Sequence, residues 1–103
     1  MAVFDLQHLE THGYEDRGKN VFYENELFKT RIIELEPGGG MPDCRMECFV
    51  IFYVVGGEVI VRKNNEPTTL KEDQVFITEP ALLSMHTETG ARLMGVQIQP
   101  RSS

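Results

Sequence analysis

Seven consecutive apolar or aromatic residues, Phe49-Val50-Ile51-Phe52-Tyr53-Val54-Val55, constrain this chain more than any other stretch. The run is too short to cross a membrane. Its valines, isoleucine and aromatic rings favour an extended strand over a helix. Pro37-Gly38-Gly39-Gly40 punctuates the chain before it and Gly56-Gly57 after it. Glu58-Val59-Ile60-Val61-Arg62 then starts a second β-branched run. Strand, glycine pair and strand predict a β-hairpin. A strand apolar on both faces must be covered on both, which puts the hairpin at the centre of a sandwich or barrel.

Short strands are expected on either side of it: Val21–Tyr23, Leu27–Leu35, Thr68–Leu70, Gln74–Thr78, Leu82–Thr87 and Ala91–Gln99. Polar turns separate them at Glu24–Glu26, Lys63–Pro67, Lys71–Asp73 and Glu88–Gly90, and Glu79-Pro80 is a further break. With the central pair this makes about eight or nine strands, with a turn signal roughly every 8–12 residues, and no amphipathic helix after Asn20. The pattern predicts an all-β barrel or sandwich. In the last strand Met94, Val96 and Ile98 share one face. Residues 20–99 form the domain, 1–19 an N-terminal arm or short element, and 100–103 a tail. At 103 residues there is room for one core.

Sixteen acidic against ten basic residues leave a net charge of −6. No lysine or arginine run exists, which argues against nucleic acid and an anionic membrane surface as partners. No basic-then-apolar leader is visible, so the cytoplasm is the expected location. Cys44 and Cys48 read as reduced thiols. In one regular strand their Cα atoms would lie roughly 13 Å apart, too far to bridge, and their spacing is not that of a zinc knuckle. His8 and His12 would share a helix face, but Leu9 stands where the metalloprotease pattern needs a glutamate; they read as surface histidines. Asp43 and Glu47 read as surface carboxylates. No nucleophile triad, phosphate loop or dinucleotide fingerprint is present.

The order of signals resembles a small single-domain cupin, an RmlC-like jelly roll. Leu35-Glu36-Pro37-Gly38-Gly39 is similar to the lead into the first cupin motif, and Ile51 to Glu58 resembles that motif's closing strand and turn. Leu70 to Ile77 is similar to the start of the second motif, with Glu72 where a glycine is usual. Pro80 and His86 fall near that motif's proline and histidine, at altered spacing. The resemblance covers roughly residues 20 to 99 and implies a double-stranded β-helix barrel with a pocket between its sheets. The departures are chemical. Metal-binding cupins carry His-any-His, then a glutamate, then a second-motif histidine. Here the first-motif positions hold Cys44, Met46 and Val50, none of which can replace imidazole or carboxylate on iron, manganese or zinc.

Cys44, Met46, Val50, Met85 and His86 are therefore the expected ligand-binding residues, and His86 the single polar anchor. The lining is soft and apolar, and no basic cluster is evident beside it. Arg45, the nearest cation in sequence, points away by alternation. The expected ligand is a small aromatic or short-chain apolar molecule, not a polyanion. No cofactor is expected; the alternative is a divalent or soft ion, with Cys44 and His86, joined by Met46, as candidate ligands. The sequence favours a metal-free binding or accessory module over an enzyme. The alternatives are a metal-dependent dioxygenase, isomerase or decarboxylase with atypical ligands, and a ligand-free structural dimer. The long apolar strand and the apolar N-terminal segment (Val3, Phe4, Leu6, Leu9) predict a homodimer.

Overall fold

Alternation along the chain builds two sheets that share one strand. The computed structural model describes residues 2–99, so the expected tail at 100–103 lies outside the described residues. A 3₁₀ segment, Tyr14–Asn20, leads into eight strands: β1 Val21–Glu24, β2 Phe28–Leu35, β3 Gly40–Met46, β4 Phe49–Lys63, β5 Glu66–Lys71, β6 Val75–Thr78, β7 Ala81–His86 and β8 Ala91–Ile98. All pairings are antiparallel. One sheet runs β1-β2-β8-β4-β6 and the other β3-β7-β4-β5. This is the expected all-β jelly roll, curled around a single core.

The expected central hairpin is instead one bent strand. Phe49 to Gly57 pairs with β8, and Glu58 to Lys63 pairs with β5. Gly56-Gly57 is the corner at which β4 leaves one sheet for the other. Gly57 has φ +81, and a Cβ there would lie 2.2 Å from the Gly90 carbonyl oxygen, so only glycine fits. Thr87 locks the corner. Its hydroxyl, on a residue 1% exposed, donates to the Glu58 carbonyl at 2.6 Å and accepts from the Gly90 N–H at 3.0 Å. The five-residue turn expected at Lys63–Pro67 is two residues long. Asn64 and Asn65 both take positive φ, and Glu66 and Pro67 already belong to β5. Two consecutive left-handed residues match the twist of the flanking strands, and asparagine tolerates that region.

Strand parity sets the core. Val54, Val61, Leu83 and Leu93 point inward and are fully buried, joined by Val59, Leu70, Met85 and Ala91. Each such side chain stabilises the fold by about 1.5–3 kcal/mol relative to an exposed one. The N-terminal arm lies on its own chain. Arg92 donates from Nε to the Leu6 carbonyl at 2.7 Å and from an Nη to the Leu9 carbonyl at 2.6 Å, and also pairs with Glu34. Asn20, 5% exposed, exchanges two hydrogen bonds with the His12 backbone. Together these ties lay residues 11–17 beside the gap between β2 and β3. Among the described residues no helix is long and apolar enough to cross a membrane.

Candidate functional site: a cleft between β2 and β3

The two sheets part where β2 faces β3. On β3 the register slips between Met41, opposite Met85, and Cys44, opposite Leu83; Met46 lies opposite Ala81. Three residues against two form a bulge. Directly opposed residues share a face, so Met41, Cys44 and Met46 all turn inward with their buried partners. On β2 the inward row is Lys29, Arg31, Ile33 and Leu35. Arg31 lies opposite Gly95 and Lys29 opposite Gln97 on β8. Gly95 lets the Phe52 ring and Ile33 pack close against β8: a Cβ there would meet that ring at 3.3 Å and Ile33 at 3.4 Å. Val50 and Phe52 of β4 form the floor, and Tyr14 and Arg17 of the 3₁₀ segment reach the rim. The cleft, open to solvent on one side, has a volume of about 260 Å³. A second lobe of about 410 Å³ shares the Tyr14, Ile33 and Met41 walls and extends toward His12, Glu34 and Glu36.

Of the expected site residues, the cleft brings together Cys44, Met46 and Val50. Met85 and His86 do not join them. Met85 is 4% exposed and packs in the core below. Leu83 and Met85 point inward on β7, so alternation turns His86 outward, where it is exposed beside Glu58, Ile60 and Thr89. His86 is therefore no anchor for this cleft, and Cys44, Met46 and His86 do not converge on one ion. The donors a cupin metal would need do not fit here: among the described residues no group of three or more His, Cys, Asp or Glu side chains could hold one. His8 is exposed and bonded to Asp5 at 2.7 Å, while the His12 backbone is held by Asn20. Cys44 and Cys48 are both free and half-buried. Cys48 lies just outside β3, and burial pushes its thiol up.

The expectation of no basic cluster is overturned. Arg17, Lys29 and Arg31 all line the 260 Å³ lobe, and no carboxylate does. Lys29 and Arg31 share one face of β2, and Arg17 joins them from the 3₁₀ segment through the fold. Their commitments differ. Lys29 reaches Glu24 at 3.6 Å. Arg17 donates to the Tyr14 carbonyl at 3.0 Å and lies 4.2 Å over the Tyr14 ring. Arg31 is half-buried, and its Nε is shielded from solvent and has no hydrogen-bond partner among the described residues. Burial, then repulsion from Arg17, pushes its guanidinium below the ordinary arginine range. A signal for it was present in the sequence. Lys29-Thr30-Arg31-Ile32-Ile33-Glu34-Leu35 alternates, and the face that carries Ile33 and Leu35 continues directly into Arg31 and Lys29.

No family profile matches the chain, and no curated protein sequence does. Solved structures do match. TT1209 of Thermus thermophilus superposes with a TM-score of 0.81 at 23% identity, covering 97% of this chain and 100% of that one. The cupin domain of Cnp3 from Schizosaccharomyces pombe gives 0.70 at 21% identity, over 78% of this chain and 61% of that one. An RmlC-like cupin from Shewanella frigidimarina NCIMB 400 gives 0.69 at 20%, over 77% and 72%. The fold defined by the shared strand and the curled sheets is thus the cupin fold. At these identities the likeness is one of fold, and function rests on the cleft itself.

Proposed function

We propose that this cupin-fold chain binds a small molecule in the β2–β3 cleft without a metal. The observation that carries the reading is the cleft's composition: an apolar floor of Val50 and Phe52, soft walls of Met41, Cys44 and Met46, and a few placed polar groups at its mouth. Ligand sites have this form, a mainly apolar concavity with a small number of orienting polar groups. The scattered donors support the metal-free part and weigh against the dioxygenase, isomerase or decarboxylase alternative. The test is a thermal-shift screen of small aromatic and short-chain molecules, neutral and charged, on wild type and on Met46→Trp, whose indole fills the cleft. A ligand at a hundredfold its Kd adds about 2.7 kcal/mol, roughly 10–20 °C for a domain of this size. The expected result is a stabilising compound for wild type that leaves Met46→Trp unmoved. Equal shifts in both proteins, or near-stoichiometric iron, manganese or zinc in the purified protein, would overturn the reading.

A second surface favours a homodimer. The outer face of the β2-β8-β4-β6 sheet leaves apolar side chains in solvent: Phe49 at 52% exposure, Val75 at 52%, Ile77 at 66% and Ile98 at 41%. Phe49 lies opposite Ile98, and Ile77 opposite Ile51, so they form one patch. A contiguous apolar patch on a sheet face suits a self-complementary contact. Light scattering at micromolar concentration is expected to give twice the chain mass, and Ile77→Lys to give the single mass. A monomer at every concentration would end this reading.

A further inference from the structure

The cleft's charge balance says which molecules it selects. The chain carries an excess of acid, 16 carboxylates to 10 basic side chains, yet the smaller lobe collects three cations and no carboxylate. A half-buried cation without a partner is costly unless something else compensates it. Two of the three are already engaged. Lys29 has Glu24, and Arg17 has the carbonyl and ring of Tyr14. Arg31 alone keeps a buried N–H with no acceptor. A carbonyl and a ring do not neutralise Arg17, so with one carboxylate against three cations the lobe attracts anions, and Arg31 is where an acceptor is missing. A guanidinium offers parallel N–H groups in a rigid fork, the geometry that a planar carboxylate accepts. Around it, Phe52, Val50, Met41 and Met46 line the cleft as surfaces for an apolar body.

We infer that the cleft selects a small organic monocarboxylate, its carboxylate on the Arg31 guanidinium and its apolar body against Phe52, Val50 and the two methionines. The inference rests on the reading of the cleft as a ligand site and adds the class of ligand. It changes the polar part of the sequence expectation: the apolar body stays, a carboxylate is added, and the anchor is Arg31 in place of His86.

Calorimetry on the full chain with four probes tests it: benzoate, benzamide, benzylammonium and inorganic phosphate. The first three share one shape and differ in charge. Benzoate is expected to bind wild type at least tenfold more tightly than each of the others. Arg31→Met is expected to erase that preference, bringing benzoate down to the level of benzamide, and Arg31→Lys to keep part of it. Neutral benzamide matching benzoate, phosphate matching benzoate, or a benzoate preference that survives Arg31→Met would each overturn the inference. The two readings fail separately. If Met46→Trp blocks benzamide but benzoate holds no advantage, the cleft stands as a ligand site and the monocarboxylate falls. If no probe binds wild type, or Met46→Trp binds them all as wild type does, both fall.

Discussion

The interior of this curled sheet is finished in two different ways. Toward β5 and β6 it is closed: Val54, Val61, Leu83 and Leu93 are fully buried, and Leu70 and Phe76 pack over them. Toward β2 and β3 it stays open, and the inward positions hold Lys29, Arg31, Cys44, Met46 and Gln97. The change of character occurs within single strands. On β2 one face runs from buried Leu35 and Ile33 to half-buried Arg31 and Lys29. The closed side holds the fold, and the open side carries polar groups that a stability optimum would not place there.

Truncation breaks or sharpens that contrast most directly. Leu83→Ala, in the closed half, is expected to cost about 2–5 kcal/mol, the range for a fully buried leucine whose cavity cannot collapse. Met41→Ala on the cleft wall, only partly buried, is expected to cost less than about 1.5 kcal/mol, since part of its surface is in water in either state. Urea denaturation midpoints of the two variants measure the difference. Equal losses would mean that the two halves are packed alike.

The corner that joins the sheets comes next in size. Gly57→Ala forces a side chain into positive φ and against the Gly90 backbone, at a cost of about 1–3 kcal/mol from the conformation alone. Gly56→Ala, where a Cβ would meet nothing within 4 Å and φ is not positive, is expected to be close to neutral. If Gly56→Ala were the damaging one, the bend would be at the wrong residue.

These two glycines also show how far the sequence could be read. Turn signals and β-branched runs placed the strands, because punctuation by glycine, proline and asparagine is local chemistry. Whether Gly56-Gly57 makes a hairpin or a corner is a different question. It depends on the pairing of Glu58 to Lys63 with β5 and β7, contacts that local signals do not encode. The site was legible by halves. Cys44, Met46 and Val50 share the cleft as their spacing suggested, although the bulge that brings Met41 into the same row was invisible. His86 was misplaced because Leu82, Leu83 and Met85 leave the apolar parity of β7 ambiguous. The three cations form no run along the chain: Lys29 and Arg31 alternate on one face of β2, and only the fold brings Arg17 of the 3₁₀ segment to them.

Arg31 gives a smaller effect, of opposite sign. Arg31→Met replaces a half-buried, unpartnered charge with a side chain suited to the neighbouring Met41 and Met46, and is expected to raise unliganded stability by up to about 1 kcal/mol. Thermal denaturation without ligand measures it. A clear loss of stability would mean that Arg31 is structural, and the open half would then owe its form to packing.

The smallest effect comes from a cation that does have its carboxylate. Lys63, at the end of β4, pairs with Glu79 at the surface, and this hydrogen bond holds the Glu79 carboxyl below its ordinary value of 4.5. The sign follows from linkage. A carboxyl whose folded pKa lies below its unfolded one adds stability that is fully present above pH 4.5 and lost as pH falls through the folded value. Glu79 is exposed, so water screens the pair and its contribution is slight. Melting curves of wild type and Glu79→Gln are expected to stand slightly apart at neutral pH and to converge below the ordinary carboxyl range. A gap that persists unchanged in acid would assign the effect to something other than this charge. It would also remove the contrast with Arg31, a cation set deeper in the fold and left without a carboxylate of its own.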